Sequence, residues 1–156
     1  MTLDDRDNPG VVAPPPIIFT AFLVAGLALE WLWPAAFIAA PWQYGIGGVL
    51  ILLGIAVMAS GVRRFRAAGT NIPTYRPTTA LVTDGPYRYS RNPLYIALFL
   101  LYAGIGVAAD NPWLLALVLP LFLVMRYGVI AREERYLERK FGEAYLGYKA
   151  RVRRWL

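Results

Sequence analysis

The chain is short, strongly apolar and basic: it has 156 residues, of which 58% are hydrophobic and 17% charged, and a formal net charge of +6. A soluble domain of this length has too small a core to hide so much apolar surface, whereas a bilayer accepts continuous runs of about 20 apolar residues. Cysteine and histidine are absent, which excludes disulfides, thiolate metal sites, cysteine nucleophiles and the usual base at neutral pH. The composition therefore predicts a small integral membrane protein, for which we expect no metal site.

Residues 1–16 are polar, acidic and rich in proline, and they predict a mobile N-terminal tail without the positive charge of a signal peptide. Four apolar blocks follow, which we interpret as spanning helices of a single domain, residues 17–156. Their expected bounds are about 17–40, 43–62, 93–109 and 112–131. A tight turn joins the last two, so they must form an antiparallel hairpin. The expected fold is therefore all-α and integral to the membrane, with about four transmembrane helices.

Arginine and lysine concentrate in the polar loop 63–92 and in the tail after residue 131, whereas the other two connections carry none. The positive-inside rule places both basic segments in the cytoplasm, and four spans then place both termini there as well. We expect the location to be the bacterial cytoplasmic membrane. The net charge is explained by this topology and by attraction to anionic membrane lipids, so no nucleic-acid partner is expected.

The tail 132–152 carries apolar residues at steps of three, four and seven, which indicates an amphipathic cytoplasmic helix against the bundle or the lipid headgroups. Gly142 within it indicates a packing requirement or a break. Glu134 interrupts the apolar face. Together with Glu133, it is either a solvated charge beside neighbouring arginines or an acceptor of hydrogen bonds from a polar ligand.

The stretch GPYRYSRNPLY, residues 85–95, crowds two arginines and three tyrosines at the start of the third apolar block. Asn92 suits the N-cap position and Pro93 the first helical position, so helix initiation explains part of the stretch. It does not explain the arginines and tyrosines. Because the N-terminus of a helix favours anions, the pattern indicates a binding site built on a helix start.

Two motifs carry a family resemblance: GPYRxxRNPxY at residues 85–95 and, after the hairpin, EExxLxxxFGxxYxxY at residues 133–148. In this order they resemble the isoprenylcysteine carboxyl methyltransferase and phospholipid methyltransferase superfamily, over about residues 69–152. The resemblance implies an integral membrane enzyme that uses S-adenosylmethionine. It also implies a lipophilic acceptor, either a small molecule or a lipid-linked group, methylated at the cytoplasmic face of the membrane.

The resemblance implies that cofactor-binding residues lie in both motifs. Asn92 stands where many members of the family have histidine. Because asparagine cannot take a proton, a histidine-dependent acid/base role is excluded. An arginine, Arg91 or Arg132, would hold a carboxylate acceptor, which needs no base, whereas Glu134 would deprotonate an amine acceptor. The lack of histidine slightly favours the carboxylate. The implied cofactor-binding residues are Gly85, Tyr87, Arg88, Arg91, Asn92, Pro93, Tyr95, Glu133, Glu134 and Tyr145.

Two alternatives are open. Glu30 lies near the end of the first apolar block, either at the membrane interface or buried, and a buried carboxylate there would suit a small four-helix proton-coupled transporter. A non-catalytic member of the same fold is the second alternative. A minimal transporter needs neither the long loop nor the tail motif, so these features favour the methyltransferase.

Overall fold

The computed structural model describes residues 7–38 and 40–156, and within them all regular secondary structure is helical. Three helices are long and apolar enough to cross a bilayer: α1 (Pro15–Leu32), α2 (Trp42–Ala67) and a continuous helical stretch, Pro112–Phe141. A fourth apolar helix, α3 (Pro93–Ala108), has 16 residues. The chain is therefore an all-helical membrane protein, and a fourth span formed by α3 remains a prediction.

The stretch from Pro112 onward is built of four segments in sequence: α4 (Pro112–Ala116), α5 (Val118–Val124), a π-helical turn (Met125–Ile130) and α6 (Ala131–Phe141). Pro120 lacks the N–H that would bond to the carbonyl of Ala116, which accounts for the break between α4 and α5. At 1.5 Å per residue the stretch is about 45 Å long, against about 30 Å for the hydrocarbon core. Because the stretch is longer than the hydrocarbon core, we expect its charged end, from Arg132 onward, to lie outside the apolar part of the bilayer.

Two helix ends differ from the sequence-based bounds. α1 ends at Leu32 rather than near residue 40, because Pro34 cannot continue the helix and the Glu30 carboxylate accepts a hydrogen bond from the backbone N–H of Ala35, at 3.1 Å. α2 runs five residues past its expected end, to Ala67, and carries arginines in its last turn, where the helix dipole favours positive charge. The arginines that opened the predicted loop thus belong to a helix.

The segment predicted as one amphipathic helix forms α6 and α7 (Glu143–Arg151), which Gly142 separates. Gly142 has a φ of 50°, a left-handed conformation that favours glycine, so the predicted break is present. Buried residues of this pair include Glu134 in α6 and Tyr145 and Tyr148 in α7. The placement of the pair in the cytoplasm stays a prediction.

α2 and α3 pack with their backbones in contact. A Cβ added at Gly47 would lie 2.6 Å from the backbone nitrogen of Ala108, and one added at Gly54 would lie 3.0 Å from the carbonyl oxygen of Ala97. Small residues at such positions allow close helix packing in lipid. The contact fixes the position of α3, at whose start the first motif ends.

Part of the tail predicted to be mobile, residues 7–14, lies along the end of the long helical stretch, while residues 1–6 are outside the described residues. The backbone N–H of Val12 donates to the carbonyl of Gly128 at 3.1 Å, and Arg132 donates to the carbonyl of Gly10 at 2.8 Å. Asp7 pairs with Lys140 at 2.7 Å. These contacts bring the segment beside the region in which the two motifs meet.

Candidate functional site

The first motif forms a short 3-10 turn followed by the start of α3. Gly85 opens the turn with a φ of 60°, and Tyr87 within it is buried. Asn92 occupies the N-cap position and Pro93 the first helical position, as predicted, but the Asn92 side chain does not cap the helix. Its amide nitrogen donates instead to the carbonyl of Arg154, at 2.9 Å.

The end of the described chain binds this helix start, which no sequence pattern indicates. The backbone N–H of Arg91 donates to the carbonyl of Arg153 at 3.0 Å, and the Ser90 hydroxyl donates to the carbonyl of Arg154 at 3.1 Å. Trp155 then packs between Phe99 and Phe122, with ring centroids 6.3 and 5.3 Å away. The segment 152–155 thus holds the end of the first motif in place.

Glu134 joins the two motifs through a buried ion-pair cluster. Its Oε1 accepts from Arg91 Nη2 at 2.8 Å and from Arg154 Nε at 3.0 Å, and its Oε2 accepts from Arg154 Nη2 at 2.6 Å. The Arg91 and Glu134 side chains are only 9% and 7% exposed. Burial works to raise the pKa of Glu134, but the hydrogen bonds from both arginines outweigh it and lower that pKa, so the carboxylate stays ionised.

Glu133 has a different environment, although it is adjacent in the chain. Its Oε1 accepts a short hydrogen bond, 2.6 Å, from the Tyr95 hydroxyl. Burial raises the pKa of Glu133 to about 7, with a smaller upward contribution from the Glu134 charge, and the Tyr95 hydrogen bond only partly opposes this. The neighbouring glutamates therefore differ: one is held ionised by arginines, and the other titrates near neutral pH.

These side chains line a cavity whose empty volume, including the part open to solvent, is about 820 Å³, within the usual size of a small-molecule site. Most of the predicted site residues meet there. Tyr148, which belongs to the second motif but was not predicted as a site residue, also lines it and donates its hydroxyl to the carbonyl of Tyr87 at 2.7 Å. The predicted residues on the cavity wall are Tyr87, Arg91, Asn92, Tyr95, Glu133, Glu134 and Tyr145.

Four predicted site residues lie off the cavity wall. Gly85 serves the turn, where a Cβ would lie 2.7 Å from Nε of Arg64, and Pro93 begins α3. Arg88 is exposed. Arg132 precedes Glu133 by one residue, about 100° around the helix, and so contacts the N-terminal segment instead. Their assignment to the site remains untested.

Buried tyrosines complete the polar side of the cavity. Burial raises the pKa of Tyr148 to about 12 and also raises the pKa values of Tyr87 and Tyr145. All three therefore remain protonated at neutral pH, as hydrogen-bond donors or as ring surfaces. Rings of this kind attract cations over their faces.

Residues 71–82 form another wall of the cavity. The spacing of residues in the sequence does not predict this wall, although the segment belongs to the region that resembles the family. Asn71, Ile72, Pro73 and Thr74 contribute from its start, and Leu81 and Val82 from its end. The segment has no helical periodicity, so no pattern in it signals a binding surface. It is placed by hydrogen bonds to side chains from outside itself.

Comparison with known proteins gives a match to one family and several similar proteins. The model of a family described as phospholipid methyltransferase matches residues 42–144. The nickel-cobalt-cadmium resistance protein NccN of Alcaligenes xylosoxydans xylosoxydans is 38% identical over 68 residues, 44% of this chain and 32% of that protein. The protein-S-isoprenylcysteine O-methyltransferase of Schizosaccharomyces pombe is 39% identical over 75 residues, 46% of this chain and 30% of that protein.

An uncharacterised Haemophilus influenzae protein is 41% identical over 63 residues, 40% of this chain and all of that protein. The matches thus span about a third of the length of NccN and of the isoprenylcysteine O-methyltransferase. The family model covers well over half of this chain, including the whole first motif and most of the second. The chain belongs to the phospholipid methyltransferase family, in the superfamily that also contains isoprenylcysteine methyltransferases.

Proposed function

We propose that the protein transfers a methyl group from S-adenosylmethionine to a lipophilic amine at the cytoplasmic face of the membrane. The observation that carries the proposal is the cavity in which the two family motifs meet, with Glu133 and Tyr95 joined across it at 2.6 Å. When bound, the cofactor supplies an electrophilic methyl group, whose transfer leaves a neutral thioether. Membership of a methyltransferase family gives independent support.

The residues of the cavity fit the cofactor chemically. Arg91 donates through both terminal nitrogens to protein groups, but its buried Nε has no partner among the described residues. That N–H would hold the cofactor's carboxylate by a charge-assisted hydrogen bond. The rings of Tyr87 and Tyr145 would face its cationic or aromatic parts.

The roles of the two glutamates follow from their surroundings. Glu134 is neutralised by Arg91 and Arg154, so it suits the positioning of Arg91 rather than proton transfer. Glu133 has a pKa near neutrality, which is the range in which a general base is most effective. We therefore assign the removal of a proton from an amine acceptor to Glu133, where the sequence alone favoured Glu134.

The charges of the cavity favour an amine over a carboxylate acceptor. Arg91 is the only cationic side chain on its wall in the part of the chain that the structure describes, and the ends of its guanidinium are occupied. Arg132, the other candidate, donates to Gly10 outside the cavity. A carboxylate acceptor would lack a free counterion and would face Glu133, whereas an ammonium group is attracted to the same carboxylate.

The proposal is tested in two steps on detergent-purified protein. Calorimetry with S-adenosylhomocysteine should give one site per chain, and absence of binding in folded protein would overturn the proposal. Methyl-labelled cofactor should then label phosphatidylethanolamine in mixed vesicles, but not a farnesylcysteine analogue. Labelling of farnesylcysteine alone would overturn the amine assignment and leave cofactor binding standing.

The transporter alternative is not favoured. Glu30, on which it depended, accepts the backbone N–H of Ala35 and so ends α1. A non-catalytic member of the family would bind S-adenosylhomocysteine but transfer no methyl group to any lipid of a total membrane extract. The second step of the experiment therefore separates it from the enzyme.

A further inference from the structure

The N-terminal segment, residues 7–14, contributes one residue to the cavity wall. Pro9 lines the cavity, although it belongs to neither motif. Asp7 and Gly10, on either side of it, are exposed. Residues 7–10, the strap, therefore contact both the cavity, through Pro9, and the outside of the protein, through Asp7 and Gly10.

The strap is attached to α6 by polar contacts at both of its ends. Lys140 Nζ donates to the Asp7 carboxylate at 2.7 Å, and the Tyr136 hydroxyl donates to it at 2.8 Å. Arg132 donates to the carbonyl of Gly10 at 2.8 Å. The side chain of Asp7 is 59% exposed, and exposed ion pairs contribute little to stability. These contacts therefore hold the strap in place only weakly.

The remainder of the segment, residues 11–14, is held more firmly. Val11 and Ala13 pack against the main apolar cluster of the helices. The backbone N–H of Val12 donates to the carbonyl of Gly128 at 3.1 Å, and a Cβ added at Gly128 would lie 2.7 Å from a methyl group of Val12. Close apolar packing and a backbone hydrogen bond therefore both anchor this part.

Gly10 lies at the junction between the strap and the anchored residues 11–14. Its φ is 60°, in the left-handed region that favours glycine. A Cβ at this position would meet nothing within 4 Å, so glycine is required by the backbone conformation and not by packing. A few loop residues of this kind absorb the rotation when a loop opens over a site. Gly10 is therefore suited to act as a hinge.

The loop 71–82, which forms another wall of the cavity, is fixed by hydrogen bonds of its own. The Thr70 hydroxyl accepts the backbone N–H of Thr79 at 3.0 Å, and the Asn71 amide donates to the carbonyl of Pro77 at 2.9 Å. None of these four residues contacts the strap through these bonds. The strap can therefore move while the loop stays in place.

We propose that the strap closes the cavity to water and swings away about Gly10 when the cofactor enters and its product leaves. Asp7 is the latch, and it releases Lys140 and Tyr136 when the strap opens. The inference rests on the proposed function, because the ligands that pass are S-adenosylmethionine and S-adenosylhomocysteine. The groups at the strap are charged, so it borders on water, from which a polar cofactor arrives, rather than on the hydrocarbon core.

The test measures how fast S-adenosylhomocysteine binds to and leaves the detergent-purified protein, by surface plasmon resonance. Asp7→Ala removes the latch. Asp7→Lys combined with Lys140→Asp restores the ion pair with its charges reversed. Asp84→Ala is the matched control, because Asp84 is also 59% exposed, pairs with Arg64 at 2.8 Å and lies off the cavity wall.

We expect Asp7→Ala to raise the association and dissociation rate constants by the same factor, about 3- to 10-fold, because a gate that is open more often speeds both directions equally. The equilibrium affinity should therefore stay nearly constant. The charge-reversed pair and Asp84→Ala should keep both rate constants within about twofold of the unaltered protein.

Three results would contradict these expectations in different ways. Equal rate constants of Asp7→Ala and Asp84→Ala would overturn the inference. Faster dissociation alone, with a loss of affinity, would also overturn it and make Asp7 a contact of the ligand. Failure of the unaltered, folded protein to bind S-adenosylhomocysteine would overturn the proposed function instead.

Crosslinking tests the closed state directly. The chain has no cysteine, so Asp7→Cys and Lys140→Cys together provide its only two thiols. After a short bifunctional methanethiosulfonate has bridged them, binding and release of S-adenosylhomocysteine should be about 10-fold slower or more, and reduction of the bridge should restore both rates. Each single-cysteine variant, treated in the same way, should show no change on reduction. Equal rates before and after reduction of the bridge would show that the strap does not control exchange.

Discussion

Glu133 and Glu134 are neighbours in the sequence, but tertiary contacts give them opposite chemistry. Glu134 receives hydrogen bonds from two arginines, and Glu133 receives one from a tyrosine. The first arrangement fixes a charge and the second leaves a carboxyl group that changes protonation near pH 7. Each residue therefore has a distinct expected response to substitution by glutamine.

Glu133→Gln tests the proposed base. With phosphatidylethanolamine vesicles, the rate of methyl transfer should rise through about pH 7 as Glu133 loses its proton and then level off. The variant should lose about 100-fold or more of the rate, since general bases contribute 10²–10⁴-fold. Its affinity for S-adenosylhomocysteine should change by less than about threefold. In the exposed control Glu143→Gln, both the rate of methyl transfer and this affinity should stay within about threefold of the unaltered protein. A parallel loss of affinity and rate would make Glu133 a cofactor ligand instead.

Glu134→Gln tests the ion-pair cluster. The change leaves the guanidinium of Arg91 buried with no counterion, and breaking a buried pair in this way costs about 3–5 kcal/mol. We expect a clearly lowered melting temperature in detergent, whereas Glu133→Gln and Glu143→Gln should melt close to the unaltered protein. If Glu134→Gln melted with them, the cluster would contribute no net stability.

At this level the sequence predicts which residues meet, but not how they pair. Arg91, Asn92, Tyr95 and the two glutamates come together because the motif order and the hairpin bring a helix start beside a helix exit. Glu134 binds Arg154 as well as Arg91, and Arg154 belongs to a run of basic residues in which no spacing distinguishes it. The prediction that Arg91 holds an acceptor did not include the contacts of its terminal nitrogens with Glu134 and with backbone carbonyls, and it stays a prediction.

Among the elements, α6 organises the cavity through one side chain. The Tyr136 hydroxyl accepts from Thr78 N–H at 3.1 Å and from Lys140 at 3.0 Å, and it donates to Asp7 at 2.8 Å. It therefore connects the loop 71–82 and the N-terminal segment to the second motif. Removing this hydroxyl should loosen the loop without affecting the transmembrane packing.

Tyr136→Phe should make backbone amides of residues 71–82 exchange hydrogen about 5- to 10-fold faster, as expected for the loss of about 1 kcal/mol of hydrogen bonding. Exchange in α2 and α3 should stay unchanged. Tyr127→Phe removes a hydroxyl from an exposed tyrosine and serves as the matched control. Equal exchange of the loop in both variants would mean that Thr70 and Asn71 suffice to hold it.

The elements themselves follow from the sequence where a local signal exists. Apolar length predicts the spans, the turn before Pro112 predicts the hairpin, and Gly142 predicts the break between α6 and α7. The loop 71–82 could not be assigned, since its conformation depends on Tyr136, which lies 58 residues beyond Thr78. The early end of α1 likewise depends on a hydrogen bond to the Glu30 side chain, which the periodicity of apolar residues does not predict.

For the molecule as a whole, the contact between α2 and α3 determines where α3, and with it the first motif, is positioned. Gly47→Leu would drive a Cβ to within 2.6 Å of the backbone of Ala108, whereas a Cβ at Gly48 meets open space. Overpacking of this kind costs about 1–3 kcal/mol or more. We expect Gly47→Leu to lower both the melting temperature and the affinity for S-adenosylhomocysteine, and Gly48→Leu to change neither. Equal behaviour of the two variants would contradict a fixed α2–α3 pair.

Two connections between helices are in contact, although the sequence does not predict that they meet. The Asp110 carboxylate, between α3 and α4, accepts the backbone N–H groups of Phe37 and Ile38 at 3.0 and 2.9 Å. The α1–α2 and α3–α4 connections therefore lie beside each other. Four alternating spans would require this arrangement, and we expect the two arginine-rich segments to share the opposite, cytoplasmic side.

Cysteine labelling tests this topology without background, because the chain contains no cysteine. Phe37→Cys and Ala109→Cys, both at exposed positions, should react with a membrane-impermeant maleimide in intact bacterial cells. Tyr89→Cys, in the first motif and also exposed, should react only after the membrane is permeabilised. If α3 did not cross, Ala109→Cys would follow Tyr89→Cys rather than Phe37→Cys. The 16 residues of α3 span about 24 Å, which is less than the hydrocarbon core of about 30 Å. We therefore expect α3 to cross only because it packs closely against the longer α2.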